Sequence, residues 1–252
     1  MRIPTHIKKF WQSFEAAIGH DVSSRFYESF HFDDNEPDAN ALGDLVLQGR
    51  KRVHKNMQVN YQEYLPNKFR ASAARLYFEA LKEKLEPILG GNGRTHGVLA
   101  KNIANDRCIT AFCGDKLVGM MGIQTGKRGF VNPSLRTMVR IYGVIGGIIR
   151  MGGLAVLHHP VGPDEVYVDG VAVASEMRGR GIGTHLFELL EQAVLKKEIK
   201  KISLEVIDTN PRAKALYQRL GFEVVKTQTV WPLNLLIKFP FRSATLMVKT
   251  MG

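Results

Sequence analysis

The length, composition and charge of this chain are those of a globular protein with one sizeable core and an appendage, since it has 252 residues of which 44% are hydrophobic. Cys108 and Cys113 lie too close along one extended segment to form a disulfide easily, which argues against a disulfide-stabilised protein. The apolar positions after Met1 are interrupted by charges, unlike those of a secretory signal. Together these features predict a cytoplasmic protein. The formal net charge of +11 arises after residue 55, because residues 1–55 contain eight Lys or Arg and eight Asp or Glu, and this surplus favours an anionic ligand.

Residues 1–55 are predicted to form a helical N-terminal extension. Its first helix is indicated by apolar residues at helical spacing: Ile7, Phe10, Trp11, Phe14 and Ile18. A second segment, residues 39–48, precedes the basic run Gly49-Arg-Lys51-Arg52. The stretch resembles the opening third of an ASCH domain, a fold associated with RNA, and keeps Gly49-x-Lys51, but no room remains for the rest of that domain. We interpret it as an accessory pair of helices, with an RNA-associated module as the alternative.

The second predicted domain, residues 56–252, begins with a helix and a hairpin. One helix is expected over residues 66–86, ended by Pro87 and by the loop at residues 90–93. Its apolar stripe consists of Phe69, Ala73, Leu76, Tyr77, Ala80 and Leu81. Residues 108–113 and 117–123, joined by a Gly-Asp-Lys turn, predict a β-hairpin. The next strand is expected at residues 166–173.

Residues 126–162 form an unusual segment between that hairpin and that strand. The segment contains five cationic residues and no acidic one: Lys127, Arg128, Arg136, Arg140 and Arg150. Arginines within its apolar, glycine-rich part argue against a membrane span. We expect a helical insertion before the fourth strand, which either packs against the sheet or forms a basic wall of a ligand pocket. Residues 230–241 are similarly apolar, and two such patches favour a hydrophobic ligand, a peripheral membrane contact or a homodimer.

The most informative motif is an apolar strand that runs into alternating glycines and then at once into an amphipathic helix. Gly179, Gly181 and Gly183 keep side chains away from the helix start, where unpaired N–H groups and the helix dipole favour an anion. Arg178 and Arg180 add positive charge there. Thr184 replaces the third glycine of a dinucleotide motif, and the Lys-Ser/Thr pair of a nucleoside-triphosphate loop is missing. The motif therefore predicts a turn that binds a pyrophosphate.

A second motif covers residues 202–222. Alternating apolar residues predict a strand, after which Asn210 and Pro211 mark a helix start and Gly221 marks its end. Two further strands are expected at residues 222–230 and 243–249. Together with the pattern Arg178-x-x-Gly181-x-Gly183, this order resembles the GNAT acetyltransferase superfamily over residues 57–252. The resemblance implies an α/β GNAT fold, with a mixed central β-sheet flanked by helices.

The same resemblance implies acetyl-CoA as co-substrate and a set of residues that bind it. Backbone groups of the strand before the turn would hold the pantetheine arm and polarise the thioester: Val171, Ala172 and Val173. The turn would hold the diphosphate through Arg178, Gly179, Arg180, Gly181, Ile182, Gly183 and Thr184. Asn210, Ala213 and Tyr217 would complete the site, with Tyr217 as the general acid toward the departing thiolate. We expect no metal, because no metal-ligand spacing appears in the sequence.

Two carboxylates compete for the role of general base. Glu205 lies twelve residues before Tyr217, a spacing shared with the ribosomal-protein N-terminal acetyltransferases, and should point away from the core face formed by Leu204 and Val206. Asp169 is the alternative, because a carboxylate at that place in a strand otherwise needs a structural partner. His158 and His159, where the insertion meets the strand, are candidates for a proton relay.

These features predict direct acetyl transfer to an amine in a ternary complex. A small-molecule primary amine is the first choice of acceptor, because the insertion would close over the site. A protein N-terminus or lysine is the second, favoured by the spacing of Glu205 and Tyr217. A non-catalytic acyl-CoA sensor is the alternative from another class.

Overall fold

The structure, a computed structural model, describes residues 58–252 apart from residues 92, 158, 232 and 236. The predicted extension at residues 1–55, with its ASCH-like motif, and His158 therefore lie outside the described residues. Residues 59–252 form one unit.

Within the described residues, a mixed seven-stranded sheet forms the centre of the fold. The strands are β1 (Val59–Gln62), β2 (Cys108–Cys113), β3 (Lys116–Gln124), β4 (Glu165–Val173), β5 (Lys201–Ile207), β6 (Glu223–Thr229) and β7 (Ser243–Thr250). They lie in the order β1-β2-β3-β4-β5-β7-β6. Only the central β4–β5 pair is parallel, and every other neighbouring pair is antiparallel. The predicted hairpin and mixed sheet are confirmed.

Helices cover both faces of the sheet. They are α1 (Arg70–Ala80), α2 (Lys82–Leu89), α3 (Gly93–Asn102), α4 (Leu135–Tyr142), α5 (Val144–Val156), α6 (Ile182–Lys196) and α7 (Pro211–Arg219). One core lies between the sheet and α6, the amphipathic helix expected after the glycines, whose residues Leu186, Leu190 and Val194 are buried. The other core lies under α1 to α3, where Tyr77, Leu89 and Val98 are buried. Of the helices that the structure describes, none is both long and apolar enough to cross a membrane.

The single helix expected over residues 66–86 is wrong. The chain leaves helical geometry at Leu81, and α2 then continues through Pro87 to Leu89. Because α2 restarts at Lys82, Pro87 removes only one internal hydrogen bond, and burial of Leu85 and Ile88 offsets that cost. Helix α3 was not expected after the glycine-rich loop. The single hydroxyl hydrogen of Thr95 ties it to the end of α2, with Oγ1 2.9 Å from Leu89 O and 2.7 Å from Gly90 O.

The predicted helical insertion before the fourth strand is confirmed as the pair α4 and α5. Ser134 caps α4, its Oγ accepting from Thr137 N at 3.2 Å. The two helices approach closely at Gly147, where a Cβ would lie 2.7 Å from Val139 N. A glycine is therefore required at this crossing.

Candidate active site

The central feature of the site is a separation between the two parallel strands. β4 and β5 pair only from Glu165 opposite Lys201 to Val168 opposite Leu204, although each strand keeps its other neighbour along its remaining length. Beyond Val168 the strands enclose a cavity of about 450 Å³, which we call the β4–β5 cleft. Its lining includes Asp169, Gly170, Val171, Glu205, Asn210, Ala213, Tyr217 and, from α2, Lys84.

The free edge of β4 exposes backbone groups to this cleft. Ala174 N donates to Val118 O of β3 at 2.9 Å, and N–H groups alternate between the two edges of a strand, so the N–H groups of Val171 and Val173 point to the edge of β4 that is away from β3. The carbonyl of Val173 also lies on this edge, where it accepts from Arg178 Nε at 3.2 Å. Ala172 has a buried side chain and a backbone directed toward β3. Of the three residues expected to bind the pantetheine arm, Val171 and Val173 are therefore better placed than Ala172.

The glycine turn has the geometry expected of an anion cradle. Gly179 and Gly181 have φ angles of 76° and 78°, a region that L-residues rarely adopt, and Gly181 is the N-cap of α6. The first helical hydrogen bond there runs from His185 N to Gly181 O at 2.9 Å, so the amides from Ile182 to Thr184 precede it. The side chain of Ile182 is buried beneath Gly119, and Ile182 can therefore offer only its backbone to a ligand. Arg178 and Arg180 are exposed beside the turn.

Tyr217 extends from α7 into the cleft with its ring held by aromatic neighbours. The ring packs edge-on against Phe187 at a centroid distance of 5.6 Å and lies 6.1 Å from Phe222. Burial raises the pKa of Tyr217 to about 12. The phenol therefore remains protonated at neutral pH, as a proton donor must.

Asn210 and Ala213 lie at the start of the same helix. Asn210 Oδ1 accepts from Ala213 N at 3.1 Å, which caps α7 in the way that the Asn-Pro pair predicts. Both residues line the cleft. The Asn210 side chain thus caps α7, and this cap places Asn210 at the start of the helix, beside the expected cofactor.

The two predicted base candidates lie on opposite walls of the cleft. Glu205 lines it, while the adjacent Leu204 and Val206 are buried in the core, as the strand alternation predicts. Asp169 has the structural partner that its position requires, because its Oδ2 accepts from Phe130 N at 2.7 Å. This bond fixes the first loop of the insertion, before α4 begins.

Sequence reasoning missed a lysine between these carboxylates. Lys84 lines both the β4–β5 cleft and the neighbouring pocket. Burial lowers the pKa of Lys84, although the Glu205 and Asp169 carboxylates act in the opposite direction. No local pattern marks Lys84, since it lies in a helix that differs from the predicted one. The opposing pull of the two carboxylates indicates that the amine lies near both of them.

His159 links Glu205 to a second carboxylate. Its Nδ1 lies 4.0 Å from Glu205 Oε1, and its Nε2 lies 3.7 Å from Glu165 Oε1. The ring stacks on Tyr167 with centroids 4.8 Å apart and planes inclined by 15°. Gln124 Nε2 donates to the His159 backbone carbonyl at 3.1 Å, which fixes that residue to β3. His159 therefore lies between Glu205 and Glu165, at distances from both carboxylates that are longer than a hydrogen bond.

A second cavity of about 410 Å³ adjoins the cleft and shares Leu81, Lys84 and Asp169 with it. The insertion supplies one wall, so the predicted pocket wall is present. It is apolar and not basic: the lining from α5 and the residue that follows it is Met151, Leu154, Ala155 and Leu157, and none of the five cations of the insertion lines the cavity. The reason is that α5 turns its apolar inner face toward α2. We call this cavity the acceptor pocket.

A protein-family model described as the acetyltransferase (GNAT) family matches residues 78–222, more than half of the chain. The chain belongs to the GNAT acetyltransferase family. The matched range contains the hairpin, the insertion, the glycine turn and the Tyr217 helix, and the α/β sheet with flanking helices is the GNAT fold that the sequence predicts.

Curated GNAT relatives match over a short part of the chain. The chain is 42% identical over 67 residues to a mycothiol acetyltransferase of Corynebacterium jeikeium, which is 27% of this chain and 19% of that protein. It is 32% identical over 66 residues to a thialysine N-epsilon-acetyltransferase of Bos taurus, which is 26% of this chain and 39% of that protein. The matches thus span less than two fifths of either relative.

A likeness to solved structures extends further along the chain. A probable acetyltransferase from Staphylococcus epidermidis is 13% identical and superposes with a TM-score of 0.50, covering 77% of this chain and 100% of that one. At this identity the likeness shows the fold alone.

GNAT acetyltransferases use acetyl-CoA, and the residues of this chain fit it. The two positive-φ glycines have open space beside them, and the helix-start amides and both arginines of the turn suit a diphosphate. The cleft beyond that turn is lined by the open edge of β4, which suits an amide-containing arm. Among the described residues, no group of His, Cys, Asp or Glu could hold a metal ion.

Proposed function

We propose that this protein is an acetyl-CoA-dependent N-acetyltransferase that acetylates the primary amine of a small molecule by direct transfer in a ternary complex. One observation carries the proposal: the β4–β5 cleft, with Tyr217 and Glu205 on its walls, adjoins the acceptor pocket and shares lining residues with it. The cleft would hold the thioester and the pocket would hold the amine, so that the two meet where these cavities share Lys84 and Asp169.

Binding of the co-substrate falls to backbone groups. The amides from Ile182 to Thr184, with Arg178 and Arg180, would hold the diphosphate, and the Val171 and Val173 N–H groups would bind the arm in the cleft. Acetyl-CoA supplies an activated acyl group that a neutral amine can attack. An N–H aimed at the thioester oxygen from the edge of β4 would stabilise the charge that develops there.

Proton removal from the acceptor is assigned to Glu205. An amine enters mostly as an ammonium ion, so the carboxylate must take a proton before attack. His159, with Nδ1 4.0 Å from Glu205 and Nε2 3.7 Å from Glu165, would pass that proton onward. Asp169 remains the competing base, but its hydrogen bond from Phe130 N supports a positioning role.

Proton delivery to the thiolate is assigned to Tyr217. A phenol whose pKa is raised to about 12 keeps its proton at neutral pH, and it would donate this proton as the C–S bond breaks and negative charge develops on the sulfur, after which solvent would return a proton to the phenolate. The aromatic contacts with Phe187 and Phe222 fix the ring, so the hydroxyl is oriented before the reaction begins.

The acceptor is proposed to be a small amine with an apolar body. The acceptor pocket lies between α2 and α5, has a volume of about 410 Å³ and is lined mainly by Leu, Val, Met and Ala side chains. A cavity of this size and character suits a compact molecule. A protein N-terminus or lysine is the second candidate, supported by the twelve-residue spacing between Glu205 and Tyr217.

The test is a screen of thiol release from acetyl-CoA over apolar amines, peptides and polyamines, repeated with Glu205→Gln, Asp169→Asn and Tyr217→Phe. We expect turnover with apolar amines, with all three variants still binding the coenzyme. Turnover with peptides alone would replace the small-molecule acceptor with a protein one. Coenzyme binding without turnover on any acceptor would favour the sensor function instead.

A further inference from the structure

Exposed apolar side chains are concentrated on the helical insertion. Ile145, Ile148 and Ile149 occupy positions i, i+3 and i+4 of α5 and therefore lie on one face, with Ile145 exposed by 76% and Ile149 by 64%. Val144 on α5 and Leu135 on α4 are exposed as well. We call these five residues, with the exposed Arg136 and Arg140 of α4, the hairpin face, after the helical hairpin that α4 and α5 form.

The opposite side of α5 is occupied. Gly147 packs against the α4 backbone, and Met151 and Leu154 line the acceptor pocket. The inner residues of α5 therefore make its packing contacts, whereas its apolar outer side stays exposed. A cluster of large exposed apolar side chains, such as Ile148 and Ile149, normally marks a surface that a protein or a membrane covers.

The charge of the insertion is of one sign. Residues 126–162 contain five Lys or Arg and no Asp or Glu. Ile237 contacts the other end of α5, where a Cβ on Gly153 would lie 3.5 Å from Ile237 Cδ1. The segment that includes it, residues 231–237, exposes Trp231 and Leu235 and has no acidic residue.

We propose that the hairpin face docks onto the surface of an anionic lipid bilayer. Apolar side chains of an interfacial helix enter the boundary of the acyl chains, while arginines beside them meet the lipid phosphates. Helix α5 would lie in the plane of the interface. Its outer side would contact the membrane, and its inner side would form a wall of the acceptor pocket. An amine dissolved in the lipid would then approach the site from the side of the bilayer.

The charge distribution favours lipid over a second copy of the chain. In a two-fold symmetric dimer the hairpin faces would meet each other, and the arginines of one copy would approach those of the other. No acidic residue of the segment could compensate them. A bilayer with anionic headgroups supplies both the opposite charge and the apolar layer.

The experiment measures binding of the full-length protein to sedimented vesicles of phosphatidylcholine alone and of an equal mixture of phosphatidylcholine and phosphatidylglycerol. We expect binding to the mixed vesicles only, weakened as salt is raised. Arg136→Gln with Arg140→Gln should lower the partition coefficient by about fivefold per arginine. Ile148→Ser with Ile149→Ser should lower it by about tenfold or more.

Matched controls separate this surface from general charge and hydrophobicity. Val224→Ser with Val225→Ser alters exposed apolar residues of β6, and Lys196→Gln with Lys197→Gln removes two exposed charges at the end of α6. Both control pairs should bind vesicles as the parent does. The proposal is overturned by no vesicle binding, by equal binding to neutral vesicles, or by equal loss in the controls. A parent protein that sediments as a dimer, and becomes monomeric on Ile148→Ser with Ile149→Ser, would also overturn it and assign the face to a second copy.

Discussion

Replacing Tyr217 by Phe tests the chemical step most directly, because it removes one hydroxyl and keeps the ring. The contacts of that ring with Phe187 and Phe222 need no oxygen atom, so the aromatic cluster and the fold should persist. The coenzyme should bind nearly as before, because its diphosphate and arm are assigned to backbone amides and the arginines of the turn, and because the variant keeps the ring at position 217 that lines the cleft. The variant therefore isolates proton donation from binding.

The expected magnitude follows from the role of the hydroxyl. Loss of a positioned general acid lowers a rate by about 10² to 10⁴-fold, which corresponds to about 3 to 5 kcal/mol of barrier. We expect that loss in kcat, with little change in the dissociation constant of the coenzyme. Because the pKa of Tyr217 is about 12, deprotonation of this phenol should not lower the rate of the parent protein at any pH below about 12.

The assay combines steady-state thiol release with calorimetry of coenzyme binding. Tyr64→Phe is the control, because Tyr64 is an exposed tyrosine that lies outside the lining of both cavities. Its kcat should equal that of the parent. An unchanged kcat in Tyr217→Phe would refute the assignment and move the proton source elsewhere, whereas weaker coenzyme binding at constant kcat would make Tyr217 a binding residue.

Three further predictions concern the turn, the buried amine and the buried thiol. Gly181→Ala forces a side chain to a φ of 78°, so it should cost about 1 to 2 kcal/mol of stability and weaken coenzyme binding in calorimetry, whereas Gly97→Ala inside α3 should do neither. Burial lowers the pKa of Lys84 below its ordinary value of 10.5. Between the lowered pKa and 10.5, the unfolded chain therefore binds a proton at this amine that the folded chain does not bind, and the free energy of unfolding should rise with pH across that window. Lys84→Met should flatten this rise in urea titrations and raise stability at neutral pH, and the exposed Lys82→Met should leave the slope unchanged. Burial raises the pKa of Cys108 to about 12, so its thiol should react with a disulfide reagent only after denaturant is added; fast reaction in the native state would contradict its burial.

The local sequence was sufficient to predict three parts of the site: the glycine turn, the start of α7 and the burial pattern of β5. The glycine turn needs positive φ angles at Gly179 and Gly181, and only glycine adopts them readily. The start of α7 at Asn210 and Pro211 follows from a cap and a fixed φ within one turn of helix. Alternating burial on β5 likewise follows from the pleat of the strand, which places Glu205 opposite to Leu204 and Val206.

Other parts depend on where distant segments pack, and no short pattern encodes that. The break at Leu81 and the continuation of α2 through Pro87 are decided by burial of Leu85 and Ile88, which outweighs the loss of one hydrogen bond. The same break turns Lys84 toward the cleft, so an error in a helix boundary hid a residue of the site.

The sequence by itself determined the β2–β3 hairpin, the glycine turn with its positive φ angles and the cap of α7, because each depends on contacts within a few residues. Only the tertiary structure decided that β4 and β5 separate after Val168, that Lys84 stands between two carboxylates, and that His159 meets Glu205. It also decided that the insertion turns its apolar inner side, and not its arginines, toward the acceptor pocket. These features join residues far apart in the chain, and their positions are set by the packing of the whole core.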